Sequence, residues 1–106
     1  MYYGINFDIL FNLSNGVYDN VKLVRKLKIL SDKSKFEILQ LLKEKSMFGQ
    51  EIAQKLKLTT ATVSHHMNSL ICANFVYMER KNGKTYFNPN NDEIKIFLVN
   101  LNKKLL

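Results

Sequence analysis

The spacing of apolar residues changes several times along the chain, and each change marks an element. Ile5, Phe7, Ile9, Phe11 and Leu13 share one parity, the period of a strand. Leu10 breaks the alternation, and a helix through Ile9, Leu10 and Leu13 is the alternative. Ser14-Asn15-Gly16 closes this element as a turn. Val21, Val24, Leu27 and Leu30 then recur every third residue behind Asp19, a suitable helix cap, with Lys22, Arg25, Lys26 and Lys28 between them. After Ser31-Asp32, the box Ser34-x-x-Glu37 opens a second helix. Its apolar set, Phe36, Ile38, Leu39, Leu41 and Leu42, is broad enough to be buried on most sides. Gly49 resets the chain.

From Gln50 to Val76 the pattern is that of two helices joined by a short polar link. Ile52, Ala53 and Leu56 form the apolar stripe of the first, and the small Ala53 lets the pair cross closely. Leu58 sits in the link, and Thr59-Thr60 offer oxygens to cap the second helix. Val63, Met67, Leu70 and Ile71 make one buried face there. Thr60, Ala61, Thr62, Ser64, His65 and Asn68 fall off that face. They are short or hydrogen-bonding and lie toward the helix start, the surface that a helix-turn-helix presents to the major groove. Asn74 suits a left-handed helix terminus.

Val76 to Asn88 reads as a hairpin, because Asn82-Gly83 between alternating residues signals a type I′ turn. In that register Lys81 faces Lys84 and Met78 faces Phe87. Like charges directly opposite destabilise a hairpin, so Arg80, Lys81 and Lys84, with Asn82 at the tip, are expected to meet phosphates; a merely solvated tip is the alternative. Pro89 ends the hairpin. Asn90-Asn91-Asp92 caps a last helix with Ile94, Phe97, Leu98, Leu101 and Leu105 on one stripe and Ile96 and Val99 beside it. That is more apolar surface than one side can bury, which suggests a subunit interface.

The fold class expected is mainly α with a small β-hairpin, a winged helix-turn-helix over residues 19–106, preceded by an N-terminal extension over 1–18. Charge sharpens this picture. Residues 1–20 carry Asp8 and Asp19 and no Lys or Arg, a net of −2, whereas residues 21–106 carry 16 basic and 7 acidic residues, a net of +9. A basic domain suits an anionic partner, nucleic acid first, although most of these cations are lysines, which also simply solvate surfaces. No apolar run approaches the ~18 residues of a membrane span, and the N-terminus does not read as a secretory signal. A single cysteine, Cys72, suits a reducing compartment, so the cytoplasm is expected. No Ser/His/Asp set, Cys/His set, phosphate-cradling glycine loop or paired carboxylates emerge, so neither an enzyme nor a cofactor is expected.

The segments LSDKSKFEILQLL (30–42), QEIAQKL (50–56), LTTATVSHHMNSL (58–70) and NGKTYF (82–87) together resemble the arsenic-repressor (ArsR/SmtB) type of bacterial transcription regulators. The run T-V-S-H-H-M-x-x-L is the most specific part. The resemblance implies a homodimer built from the first and last helices, here Val21, Val24, Leu27, Phe97, Leu98, Leu101 and Leu105. It further implies one recognition helix per half of a near-palindromic double-stranded DNA operator, and repression relieved by an effector. Thr60, Ala61, Thr62, Ser64 and His65 fall where that family meets bases and phosphates, Arg80, Lys81 and Lys84 fall on its wing, and His66 falls inward as a packing residue. Residues 1–18 lie outside the resemblance and look like the tail of a preceding element, as if the chain were the DNA-binding end of a longer regulator.

Family members that sense metals use a Cys pair at the start of the first motif helix, or Asp, His and Glu on the last helix. Here the segment before Ile52 reads SMFGQE, and the last helix has Asp92 and Glu93 but no His. His65 and His66 are adjacent and point roughly 100° apart on a helix, so metal sensing by these routes is not expected. Cys72 is read as incidental. A winged helix that docks a protein instead of DNA is the competing function, and the basic wing speaks against it.

Overall fold

The computed structural model describes residues 18–106. Helix α1 (Asn20–Leu30) starts where Asp19 Oδ1 accepts the Lys22 N–H at 2.7 Å. Its buried residues are Leu23 and Lys26, while Val21, Val24 and Leu27 are 67, 47 and 37% exposed. Helix α2 (Lys33–Glu44) begins earlier than the Ser34-x-x-Glu37 box suggests. Asp32 is its cap, accepting the Lys35 N–H at 2.9 Å. An ionised carboxylate is a stronger acceptor than a serine hydroxyl, and that hydrogen bond holds the Asp32 pKa below its ordinary value. Ile38 and Leu42 bury the helix against the core, whereas Phe36 is half exposed.

Strand β1 (Met47–Phe48) has only two residues, too few to show a period, and was not anticipated. It pairs antiparallel with β3, Met47 opposite Phe87 and Phe48 opposite Tyr86. Helix α3 (Gly49–Leu56) takes in the glycine expected to precede it, and the Glu51 carboxylate accepts the Phe48 N–H at 3.1 Å. Lys57 then turns the chain at φ 57°, and Leu58 N–H reaches Ala53 O at 3.0 Å. Helix α4 (Thr60–Cys72) is capped by Thr59, whose Oγ1 accepts the Thr62 N–H at 3.1 Å. It ends through Asn74 at φ 62°, with Asn74 N–H on Ile71 O and Phe75 N–H on Leu70 O. These paired bonds satisfy carbonyls that the helix end would leave open.

Strands β2 (Val76–Lys81) and β3 (Lys84–Pro89) pair in the expected register, Lys81 opposite Lys84 and Met78 opposite Phe87. Asn82 and Gly83 have φ 51° and 77°, the positive pair that a type I′ turn requires. The sheet order is β1-β3-β2. Helix α5 (Asn91–Leu105) is capped by Asn90.

The core gathers Leu23, Ile38, Leu42, Ile52, Val63, Met67 and Leu70 under Phe75 and Phe97, whose rings meet edge to face at 5.3 Å. Phe97 is 2% exposed. It was expected at a subunit interface, but its side chain fills its own subunit and offers no surface to a partner. Leu98 and Leu105 remain exposed, and Leu101 is partly buried against the core. Tyr18 is also a core residue, so the boundary placed after residue 18 severs a side chain that belongs to this domain. Its N–H donates to Asn100 Oδ1 at 2.8 Å, and its hydroxyl donates to Glu93 at 2.9 Å. The expected strand between Ile5 and Leu13 lies outside the described residues.

Candidate DNA-reading surface

Helix α4 divides by its own periodicity. Val63, Met67 and Leu70 are at most 1% exposed. Thr60, Ala61, Thr62, Ser64, His65 and Asn68 are all exposed. Core packing fixes the rotation of the helix, and the exposed set follows from that rotation. No acidic residue stands in the first turn, so the positive end of the helix dipole is left for an anion. His66 turns inward as expected. Its Nδ1 is buried without a hydrogen-bond partner among the described residues. Burial first, then Lys35, pushes its pKa below the ordinary value, against a smaller opposing effect from Asp32.

The wing lies beside the start of α4. Thr60, Ser64 and Lys84 line one cleft of about 360 Å³ together with Phe48 and Gln50. Lys84 Nζ lies 4.4 Å from the centroid of the Phe48 ring, and Lys81 Nζ is 3.6 Å from Glu79. These contacts ease the repulsion between the facing lysines, and both remain exposed. Arg80 is separated from them. Neighbouring strand residues point to opposite faces, and Arg80 donates at 3.1 Å to the hydroxyl of Thr85, which itself lines the cleft with Lys84. Asn82 is exposed at the tip.

Gln50 was not anticipated. It lines the Thr60–Ser64–Lys84 cleft and, with Gln54, a second cleft beside Thr60. Its polar side chain at the opening of the first motif helix was the available signal. His65, Asn68 and Cys72 face a third opening, toward α1. Among the described residues, no group of three or more His, Cys, Asp or Glu side chains comes together, and no helix is long and apolar enough to cross a membrane.

Two helices crossing through a short turn, followed by a hairpin whose basic tip stands beside the second helix, define a winged helix-turn-helix. The family model described as "Bacterial regulatory protein, arsR family" matches residues 32–77. The arsenical resistance operon repressor of Staphylococcus aureus is 33% identical over 76 residues, covering 72% of this chain and 73% of that protein. The repressor of the same description from Staphylococcus xylosus is 37% identical over 79 residues, covering 74% and 72%. An ArsR-like transcriptional regulator from Rhodococcus sp. RHA1 has the same fold, with a TM-score of 0.73 at 19% identity over 79% of each chain. So does a winged helix-turn-helix DNA-binding domain from Mycobacterium bovis, described as homodimeric, with a TM-score of 0.66 at 22% identity over 84% of this chain and 89% of that one.

The chain belongs to the arsR family of bacterial regulatory proteins. It is therefore a DNA-binding transcriptional regulator rather than an enzyme.

Proposed function

We propose that the protein represses transcription in the bacterial cytoplasm as a homodimer on a near-palindromic operator. Helix α4 enters the major groove of each half-site. Thr60, Ala61, Thr62, Ser64, His65 and Asn68 read base edges, and Lys81, Asn82 and Lys84 hold the flanking backbone, with Arg80 reaching phosphate from the other face of the wing. The observation that carries this reading is the shared cleft of Thr60, Ser64 and Lys84, which joins the helix start to the wing as one continuous surface. Val21, Val24 and Leu27 on α1, with Leu98 and Leu105 on α5, leave apolar surface that a second copy would cover. The related Staphylococcus proteins are named as repressors and the Mycobacterium domain as homodimeric, which agrees with both parts. The segment before Ile52 holds no Cys and the last helix no His, so this reading assigns no metal to those two positions.

Binding-site selection from random duplexes tests the proposal. Two similar half-sites about 34–36 Å apart, or a multiple of that, are expected from a two-fold dimer. Affinity should fall steeply with salt, and Lys81→Ala or Lys84→Ala should each flatten the log–log slope by about 0.9 while weakening all sequences alike. Affinity that ignores both salt and these substitutions would defeat the reading.

A further inference from the structure

A cavity of about 540 Å³ opens between α1 and the carboxyl half of α4. Small-molecule sites are typically roughly 300–1,000 Å³. From α4 it is lined by His65, Asn68 and Cys72, and from α1 by Lys22, Arg25 and Lys26. Val21 and Ile29 add apolar wall. Asp19 is the acidic residue at the rim, and its carboxylate is engaged by the Lys22 backbone N–H. Among the described residues, no carboxylate forms a salt bridge with Lys22, Arg25 or Lys26. Three cations around one partly apolar cavity, none of them in a salt bridge among the described residues, suit an anion that also carries an apolar body.

We propose that this cavity is an effector site for a small amphipathic anion, a carboxylate on an aromatic or branched apolar body, and that its occupancy weakens DNA binding. The proposal rests on the reading role of His65 and Asn68 stated above. Those two side chains belong both to the cavity wall and to the DNA-reading face, so ligand and DNA compete for them. The same cavity touches Lys26, whose ammonium holds Ala73 O at the end of α4. An anion drawn to that ammonium loosens its hold on the helix end. The signal is thereby delivered at the reading helix itself.

The test uses 2-naphthoate as the probe and neutral 2-naphthamide as its control, titrated calorimetrically into the full chain without DNA. One naphthoate per chain is expected, with the amide at least about tenfold weaker, the usual worth of a charge-assisted contact. Cys72 is exposed, so Cys72→Phe fills the cavity without entering the core, and Arg25→Gln removes a surface cation. Each should weaken naphthoate about tenfold or more. Naphthoate should raise the Kd for a selected duplex with the wild-type protein and leave it unchanged with Cys72→Phe, whose binding to duplex alone is retained.

No naphthoate binding at millimolar concentration, or binding indifferent to both variants or to the loss of charge, would overturn the site. Binding that leaves duplex affinity unaltered would overturn its regulatory role. Arg25→Gln losing duplex affinity while keeping naphthoate affinity would assign these cations to DNA phosphate instead. Selection that yields no duplex at all would remove the DNA-reading proposal, and the calorimetry would still decide the cavity on its own.

Discussion

Replacing Lys26 with methionine keeps most of the apolar stem and removes the ammonium. Lys26 is 4% exposed, although it sits among residues that read as a solvated helix face. Its Nζ donates to Ala73 O and lies 4.8 Å from the Phe75 ring centroid and 5.4 Å from that of Tyr18. The lost charge-assisted hydrogen bond is worth about 1.5–3 kcal/mol. The ring contacts, partly desolvated, add about 1 kcal/mol, and a cation at a helix carboxyl end adds about 0.5 kcal/mol.

Against these stands the cost of burying the charge. Burial holds the Lys26 pKa below the ordinary lysine value, even with Glu93 pulling it the other way. Glu93 therefore offsets desolvation only in part; methionine recovers the remainder of that cost, which the Ala73 hydrogen bond and the two ring contacts outweigh. A net loss of about 1–2 kcal/mol remains, or about 4–15 °C in melting temperature for a domain of this size. Thermal unfolding followed by circular dichroism measures it. A variant that melts at or above the wild-type temperature would refute the assignment, because desolvation would then outweigh every contact the ammonium makes.

Asn74 holds φ 62° at the end of α4. Asn74→Ala should cost about 1 kcal/mol and Asn74→Gly close to nothing, as urea midpoints would show. His66 has a pKa lowered by burial, so the folded state disfavours its charged form. Its contribution to stability is complete above the ordinary pKa of about 6.5 and is lost as pH falls through the lower folded value. Urea midpoints taken from pH 8 to 5 should therefore fall in that window for the wild type, and less for His66→Gln. Phe97→Ala should cost about 3–5 kcal/mol through the cavity left against Phe75, leaving a marginal fold detectable as a large drop in melting temperature.

The elements that sequence foretold well are those set by neighbours in the chain. Asn82-Gly83 dictates its turn and hence the whole register of the wing. Thr59 and Asn74 mark the two ends of α4, and three apolar side chains between them fix its rotation and so the reading face. The misses have tertiary causes. On α1, the stripe Val21–Val24–Leu27 and the pair Leu23–Lys26 both recur at helical spacing, and only packing against α2, α5 and the end of α4 decides which is buried. Lysine hides this choice because its long stem packs while its head seeks acceptors. Strand β1 exists because β3 is beside it. The cavity depends on α1 meeting α4 across more than forty residues, which no local pattern carries. Strand parity sets Arg80 and Lys81 on opposite faces of the wing, a separation that the alternation of the strand already carries.

Helix α1 turns three faces to three tasks, because each residue advances it by about 100°. Leu23 and Lys26 point into the core and toward the end of α4. Lys22, Arg25 and Ile29 face the cavity, with Val21 at its edge and Lys26 touching it from the core side. Val24 and Leu27 form an exposed apolar face, on which the proposed dimer would close. Val24 does not line the cavity against α4; it lines a neighbouring one with Val21, Arg25 and Lys28. Val24→Lys should therefore separate the two functions of this helix. The ammonium would enter an apolar dimer seam without a counter-ion, which costs several kcal/mol and shifts sedimentation toward the monomer. Naphthoate binding should persist, since the cavity lies within one subunit. A variant that stays dimeric would place the subunit contact off this face of α1, and one that loses naphthoate along with the dimer would show that the partner completes the cavity wall.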